Sequence, residues 1–137
     1  MLQTVLLDKK GMTLVEVLIA LVVLLLVSLA MMQTALVSID SNMLNVLRDE
    51  AVSITEMRMS EARNTSFSSL SAGTSSTNVL RNFRNIQNFQ YTVTRNVFDR
   101  GLENKQIDII VRWDWKENTV ANGNPYTHTI TSIVRRP

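Results

Sequence analysis

The chain of 137 residues contains no cysteine, so no disulfide bond can stabilise it. Secreted domains of this size often depend on such bonds. This chain must therefore be held together by its hydrophobic core, by partner proteins, or by both.

Glycine and proline are also scarce, with four and two residues respectively, and neither occurs between Met12 and Asn64. That stretch consequently lacks the two strongest helix breakers. Its apolar residues recur at steps of three and four, the spacing of one helix face. They are Leu36, Ile39, Met43, Leu47, Ala51, Ile54 and Met57. The sequence predicts one continuous helix over about residues 13–64, with an amphipathic second half at 34–64.

Charge is absent from residues 17–32, and Glu16 is the only charged residue in 12–32. About 20 consecutive apolar residues are enough to cross a bilayer as a helix, so residues 12–33 are predicted to be a transmembrane segment that stays in the mature protein. Lys9 and Lys10 precede it, which places the N-terminal flank in the cytoplasm by the positive-inside rule. A carboxylate in hydrocarbon costs roughly 2.5–3.5 kcal/mol, so the position of Glu16 requires an explanation.

The remainder of the chain reads as a loop followed by strands. Nine of the fourteen residues in 65–78 are Ser or Thr, and we assign 65–88 as a loop. Apolar alternation and turn residues then predict three antiparallel strands within 89–137, near 89–97, 107–115 and 126–134. The predicted fold class is α+β, a long helix packed on a small antiparallel sheet.

No constellation of residues indicates catalysis. Glycine-rich phosphate-binding spacings are missing, and the only histidine, His128, lies in a threonine-rich strand without a carboxylate cluster beside it. We therefore predict no enzyme activity, no metal site and no cofactor. Trp113 and Trp115 fall on the same predicted face of a strand, where we expect them to cover the helix.

One segment, residues 80–95, allows two interpretations. Arginines interleave with aromatic residues in a pattern that can bind single-stranded nucleic acid: Arg81, Arg84 and Arg95 with Phe83, Phe89 and Tyr91. However, the aromatics from Phe89 onward alternate as core residues do, and three arginines give a small electrostatic footprint. We favour a structural role over nucleic-acid binding.

The segment KKGMTLVE, residues 9–16, followed by the apolar run, resembles the N-terminus of type IV pilins and type II secretion pseudopilins. The resemblance implies a leader, residues 1–11, that a prepilin peptidase and methyltransferase removes after Gly11. Met12 would then become the N-methylated first residue, although phenylalanine is more usual there. Glu16 would be the fifth residue of the mature chain.

The resemblance also suggests why Glu16 is present. In a filament, the apolar helices of many subunits bundle together, and the amine of Met12 becomes a buried cation. Glu16 of a neighbouring subunit can neutralise that amine. Removing one partner of a buried pair costs roughly 3–5 kcal/mol, so the pair would set the axial register of assembly. The alternative is a single-pass anchor whose Glu16 reaches toward the lipid headgroups.

The last third of the chain is similar to PilV-type minor pilins, also called type IV pilus modification proteins, in its strand ending in tryptophan, its turn and its threonine-rich last strand. The implied function is a minor pilin that acts in pilus assembly with other minor and major pilins. It would lie first in the inner membrane, with its C-terminal domain in the periplasm, and then in the surface pilus. An I-like minor pseudopilin of type II secretion and a monomeric anchored periplasmic binding protein are the alternatives.

Overall fold

The computed structural model describes residues 13–136. It contains one α-helix, α1 (Leu14–Arg63), a short 3-10 helix (Phe67–Ser69) and four strands. The strands are β1 (Gly73–Arg81), β2 (Phe89–Asp99), β3 (Asn104–Trp113) and β4 (Tyr126–Arg135). The chain divides into two compact units, Met1–Asn42 and Met43–Pro137. The predicted helix boundaries, about 13 and 64, agree with the observed ones to within one residue.

The described part of the first unit is helical and almost entirely exposed. Its polar side chains within the apolar run bond to their own helix: the Ser28 hydroxyl donates to the Leu24 carbonyl at 2.8 Å, and Thr34 donates to Ala30 at 3.0 Å. Such bonds satisfy a hydroxyl without any partner from outside the helix. Neither of these two hydroxyl groups therefore leaves an unsatisfied donor on the apolar surface of the helix.

In the second unit, one face of α1 packs on the sheet. Its buried residues are Leu47, Ala51, Ile54, Thr55, Met59 and Ala62. The predicted apolar stripe is confirmed at Leu47, Ala51 and Ile54, and Met43 is partly buried against the core. It is wrong at Leu36, Ile39 and Met57, which are 54%, 65% and 41% exposed, whereas Met59 is 3% exposed. Met59 follows Thr55 by four residues and Ala51 by eight, so helical geometry puts it on the buried face.

The four strands form an antiparallel sheet in the order β1-β2-β3-β4. The α+β fold class predicted from the sequence is confirmed. The sheet has one strand more than predicted, because β1 lies within the segment assigned as a loop, residues 65–88. β1 pairs with β2 from Gly73 opposite Val97 to Arg81 opposite Phe89. Its residues 73–78 are all exposed, so backbone pairing forms this strand without the apolar alternation that reveals the others.

The inner face of the sheet, defined here as the face that packs on α1, carries the buried residues of the strands. They include Tyr91, Val93 and Val97 of β2 and Ile107, Ile109, Val111 and Trp113 of β3. β3 ends at Trp113 instead of continuing to residue 115, because Trp115 forms an isolated bridge with Asn118. Both tryptophans nevertheless pack on the core, as predicted.

Two polar contacts fix the N-terminal part of this helix segment against the sheet, and Nε of Arg63 donates to the Ser132 hydroxyl at 3.0 Å near its C-terminal end. The buried Tyr91 hydroxyl donates to the Leu47 carbonyl at 3.0 Å, and Arg81 contacts the Glu50 carboxylate at 2.6 Å. Burial, together with the nearby charge of Glu50, raises the pKa of the Tyr91 phenol. These contacts hold the N-terminal part of this helix segment over β1 and β2.

Candidate processing and assembly site

The N-terminus of α1 is closed by a reciprocal pair of hydrogen bonds between Thr13 and Glu16. The Thr13 hydroxyl accepts from the Glu16 backbone N–H at 3.2 Å, and the Glu16 carboxylate accepts from the Thr13 backbone N–H at 2.9 Å. The Thr13 hydroxyl also donates to that carboxylate at 3.1 Å. This arrangement is a capping box, which satisfies helix N–H groups that have no carbonyl partner.

The capping box gives Glu16 a role inside its own chain. A carboxylate in the first helical turn also interacts favourably with the positive end of the helix dipole. The side chains of Thr13 and Glu16 are both exposed in the described structure, so the Glu16 carboxylate remains accessible to other molecules. Glu16 can therefore cap its own helix and still accept a hydrogen bond from a cationic group of another molecule.

Thr13 is the site residue that the sequence analysis missed. Its signal was present in the sequence, because Thr-x-x-Glu immediately before an apolar run is the pattern of a capping box. Gly11 and Met12, the predicted cleavage and methylation positions, lie outside the described residues. Their roles remain predictions.

The helix that follows the cap presents apolar side chains in all directions. Leu14 is 80% exposed, Leu24 65% and Met31 70%. Within residues 13–136, α1 is the one helix that is long and apolar enough to cross a membrane, with a mean hydropathy of 3.0 over 18 residues of which none is buried. A surface of this kind is stable only in lipid or against other apolar surfaces, which is consistent with single-pass anchoring.

The other candidate residues do not converge on a site. His128 lies on the inner face opposite Val111. In the part of the chain that the structure describes, no group of three or more His, Cys, Asp or Glu side chains is arranged to hold a metal ion.

The aromatic residues of 80–95, the segment whose pattern could suggest nucleic-acid binding, pack within the fold. Phe83, Phe89 and Tyr91 pack on or within the core. The rings contact edge to face, with centroids 5.8 Å apart for Phe83 and Phe89 and 5.1 Å apart for Phe89 and Tyr91. Arg81 is paired with Glu50. Rings used in this way are not available for stacking with bases.

Comparison with protein families gives one match, to the family described as "Prokaryotic N-terminal methylation motif", over residues 7–32. The match includes Gly11, Met12, the capping box and most of the apolar helix segment. Comparison with curated proteins and with solved structures gives no significant match. The chain therefore carries a prepilin-type methylation motif, which supports a protein of the type IV pilin and pseudopilin group.

Proposed function

We propose that this chain is a minor pilin of a type IV pilus. In this proposal a prepilin peptidase cleaves after Gly11 and methylates the new amine of Met12, and the chain then enters the filament with other minor and major pilins. The observation that carries the proposal is the methylation motif over residues 7–32. It is supported by the continuity of α1, which runs from the motif into the helix face that packs on the sheet.

Each part of the molecule has a physical role in this function. The leader and Lys9 and Lys10 keep the cleavage site on the cytoplasmic side, and the apolar helix holds the precursor in the inner membrane. In the filament, the same apolar surface would pack against the helices of neighbouring subunits. The periplasmic unit, from Met43 onward, has its own hydrophobic core and would be presented on the filament surface.

Glu16 would neutralise the methylated amine of a neighbouring subunit while it caps its own helix. Because the surroundings in a filament are apolar, an amine left without a carboxylate would carry a large desolvation cost. The pair would therefore favour one axial position of each subunit over others. This role concerns assembly and not chemistry, so the chain is a substrate of an enzyme and not an enzyme.

The intact mass of the protein purified from its native membranes tests the proposal. The expected chain begins at Met12 and is heavier by one methyl group, and the same species is expected in sheared pili. A full-length chain in wild-type membranes would contradict the pilin function and favour a monomeric anchored binding protein. A cleaved chain whose deletion abolishes type II secretion but leaves pili intact would identify a minor pseudopilin instead.

A further inference from the structure

An arginine interrupts the apolar side of β2. The inner-face residues of this strand are Phe89, Tyr91, Val93, Arg95, Val97 and Asp99. Tyr91, Val93 and Val97 are buried, whereas Arg95, which lies between two of them, is exposed. Arg95 lies opposite Ser75 of β1 and Ile109 of β3 in the sheet register. Because alternate side chains of a strand lie on the same face, an apolar residue is expected at position 95. The charge at Arg95 therefore needs a physical explanation.

Arg95 lies in a pocket of about 330 Å³ between the C-terminal end of α1 and the sheet. The helix contributes Arg58 and Glu61, and β1 contributes the hydroxyl groups of Ser75 and Thr77. Val93 and Ile109 form part of its apolar lining. With Thr65, the pocket thus combines two guanidinium groups, one carboxylate and three hydroxyl groups, and its formal charge is positive.

The one carboxylate in the pocket is already engaged. Glu61 accepts a hydrogen bond from Nη1 of Arg58 at 2.9 Å. Among residues 13–136, no carboxylate lies within ion-pairing distance of Arg95. Its guanidinium group therefore has free donors, and guanidinium groups pair most favourably with carboxylates in a planar, two-bond geometry.

The pocket lies beside an unprotected edge of the sheet. β1 is an edge strand. Its last residue, Arg81, is charged and pairs with Glu50 of α1, but residues 73–80 contain no charged residue and no proline. Natural edge strands usually carry such residues to prevent pairing with other chains. An extended segment added to β1 would place alternate side chains on the inner face, where the pocket lies.

We infer that the edge of β1 binds an extended segment of another polypeptide, one of whose Asp or Glu side chains enters the pocket and pairs with Arg95. Backbone hydrogen bonds along β1 would supply most of the contact, and the carboxylate would fix the register of the segment. This site is separate from the helix surface of the proposed filament core, so it does not depend on the proposed function.

The competing explanation is that Arg95 only shields the core. Its aliphatic stem can cover apolar surface beneath it while the charge reaches water. Two substitutions distinguish these roles. Arg95→Met keeps an apolar stem and removes the charge, whereas Arg95→Lys keeps a stem and a positive charge.

The test uses the full chain expressed in its own cells, with a photo-crosslinking amino acid in place of Thr77, which is exposed and lines the pocket. The matched control places the same amino acid at Ser76, the adjacent exposed residue on the outer face. Crosslinked peptides are then sequenced by mass spectrometry. We expect the Thr77 position, and not Ser76, to crosslink to an Asp- or Glu-containing segment of another polypeptide.

Charge dependence decides the outcome. Arg95→Met should lower the crosslink yield at least about tenfold, which corresponds to about 1.4 kcal/mol. Arg95→Lys keeps the charge but not the two-bond geometry, so it should lower the yield by less than Arg95→Met does. Arg95→Glu should abolish the crosslink, and changing the partner's acidic residue to Arg should restore it. An unchanged yield in Arg95→Met, a crosslink to nucleic acid, or no crosslink to another polypeptide would overturn the inference. Leader removal, measured by intact mass in the same sample, reports separately on the proposed function.

Discussion

Substitutions at Glu16 and Thr13 can separate the capping role that the structure shows for the Glu16 carboxylate from the assembly role that we propose for it. Glu16→Gln removes the charge but keeps a side chain that completes a capping box, because Gln serves at this position as Glu does. Thr13→Val removes the capping hydroxyl and keeps the charge. The two variants therefore each disturb one role and leave the other intact.

The expected magnitudes differ enough to be resolved. Loss of an N-cap hydroxyl costs about 1 kcal/mol, and the cap in question closes a helix of 50 residues, so Thr13→Val should lower filament entry less than about tenfold. In the proposed filament, loss of the charge would leave the amine of a neighbouring Met12 buried without a partner, at a cost of roughly 3–5 kcal/mol. That cost corresponds to a reduction of roughly a hundredfold or more for Glu16→Gln.

The assay is the ratio of this protein in sheared filaments to that in membranes, for wild type and both variants. Membrane levels of Glu16→Gln should equal or exceed wild type, because removing a charge lowers the cost of insertion. Cleavage after Gly11 should persist. If Glu16→Gln enters filaments as efficiently as wild type, the charge pair is refuted; if Thr13→Val has the larger defect, Glu16 acts through the cap.

Three further predictions concern processing and stability. Replacing Gly11 by Leu should leave the leader attached, which the mass of the membrane-bound chain would reveal; a mature chain would exclude cleavage at this bond. The fragment 43–137 should fold alone and unfold cooperatively on heating, because the buried core lies within it; a fragment without a thermal transition would show that it needs a partner. Tyr91→Phe should lower the free energy of unfolding by about 1 kcal/mol through loss of the bond to the Leu47 carbonyl. Because folding raises the pKa of the Tyr91 phenol, the free energy of unfolding of the wild type should fall above about pH 10, where the phenol of the unfolded chain ionises. Tyr91→Phe should lack this alkaline decrease. The same dependence of stability on alkaline pH in both proteins would refute the role of Tyr91.

The parts of the fold that could be predicted are those whose burial follows a simple period. The helix was predictable because its apolar steps continue without Gly or Pro. β3 was predictable because apolar residues at 107, 109, 111 and 113 alternate with polar residues at 108 and 112. β1 could not be found in this way, since its first six residues are exposed on both faces. Its existence depends on backbone pairing with β2, and periodicity carries no information about that pairing.

The candidate site divides along similar lines. Glu16 was predictable because one charge in a long apolar run is costly. Thr13 was missed because its role is a local hydrogen bond, which composition and periodicity do not reveal. The sequence analysis grouped Arg95 with the arginines and aromatic residues of 80–95. In the structure, Arg95 instead lines a pocket with Arg58 and Glu61, which lie more than 30 positions earlier in the chain.

The order of the strands in the sheet has a consequence for how the second unit folds. Each strand pairs with its neighbour in the chain, so the sheet can grow hairpin by hairpin with little loop-closure entropy. The helix contacts are far less local: Tyr91 meets Leu47 across 44 residues, and Ser132 meets Arg63 across 69. During synthesis the apolar face of the helix must therefore remain uncovered until β2 and β3 have emerged. This interval is when the chain is most exposed to aggregation, and a chaperone that binds amphipathic helices would act then.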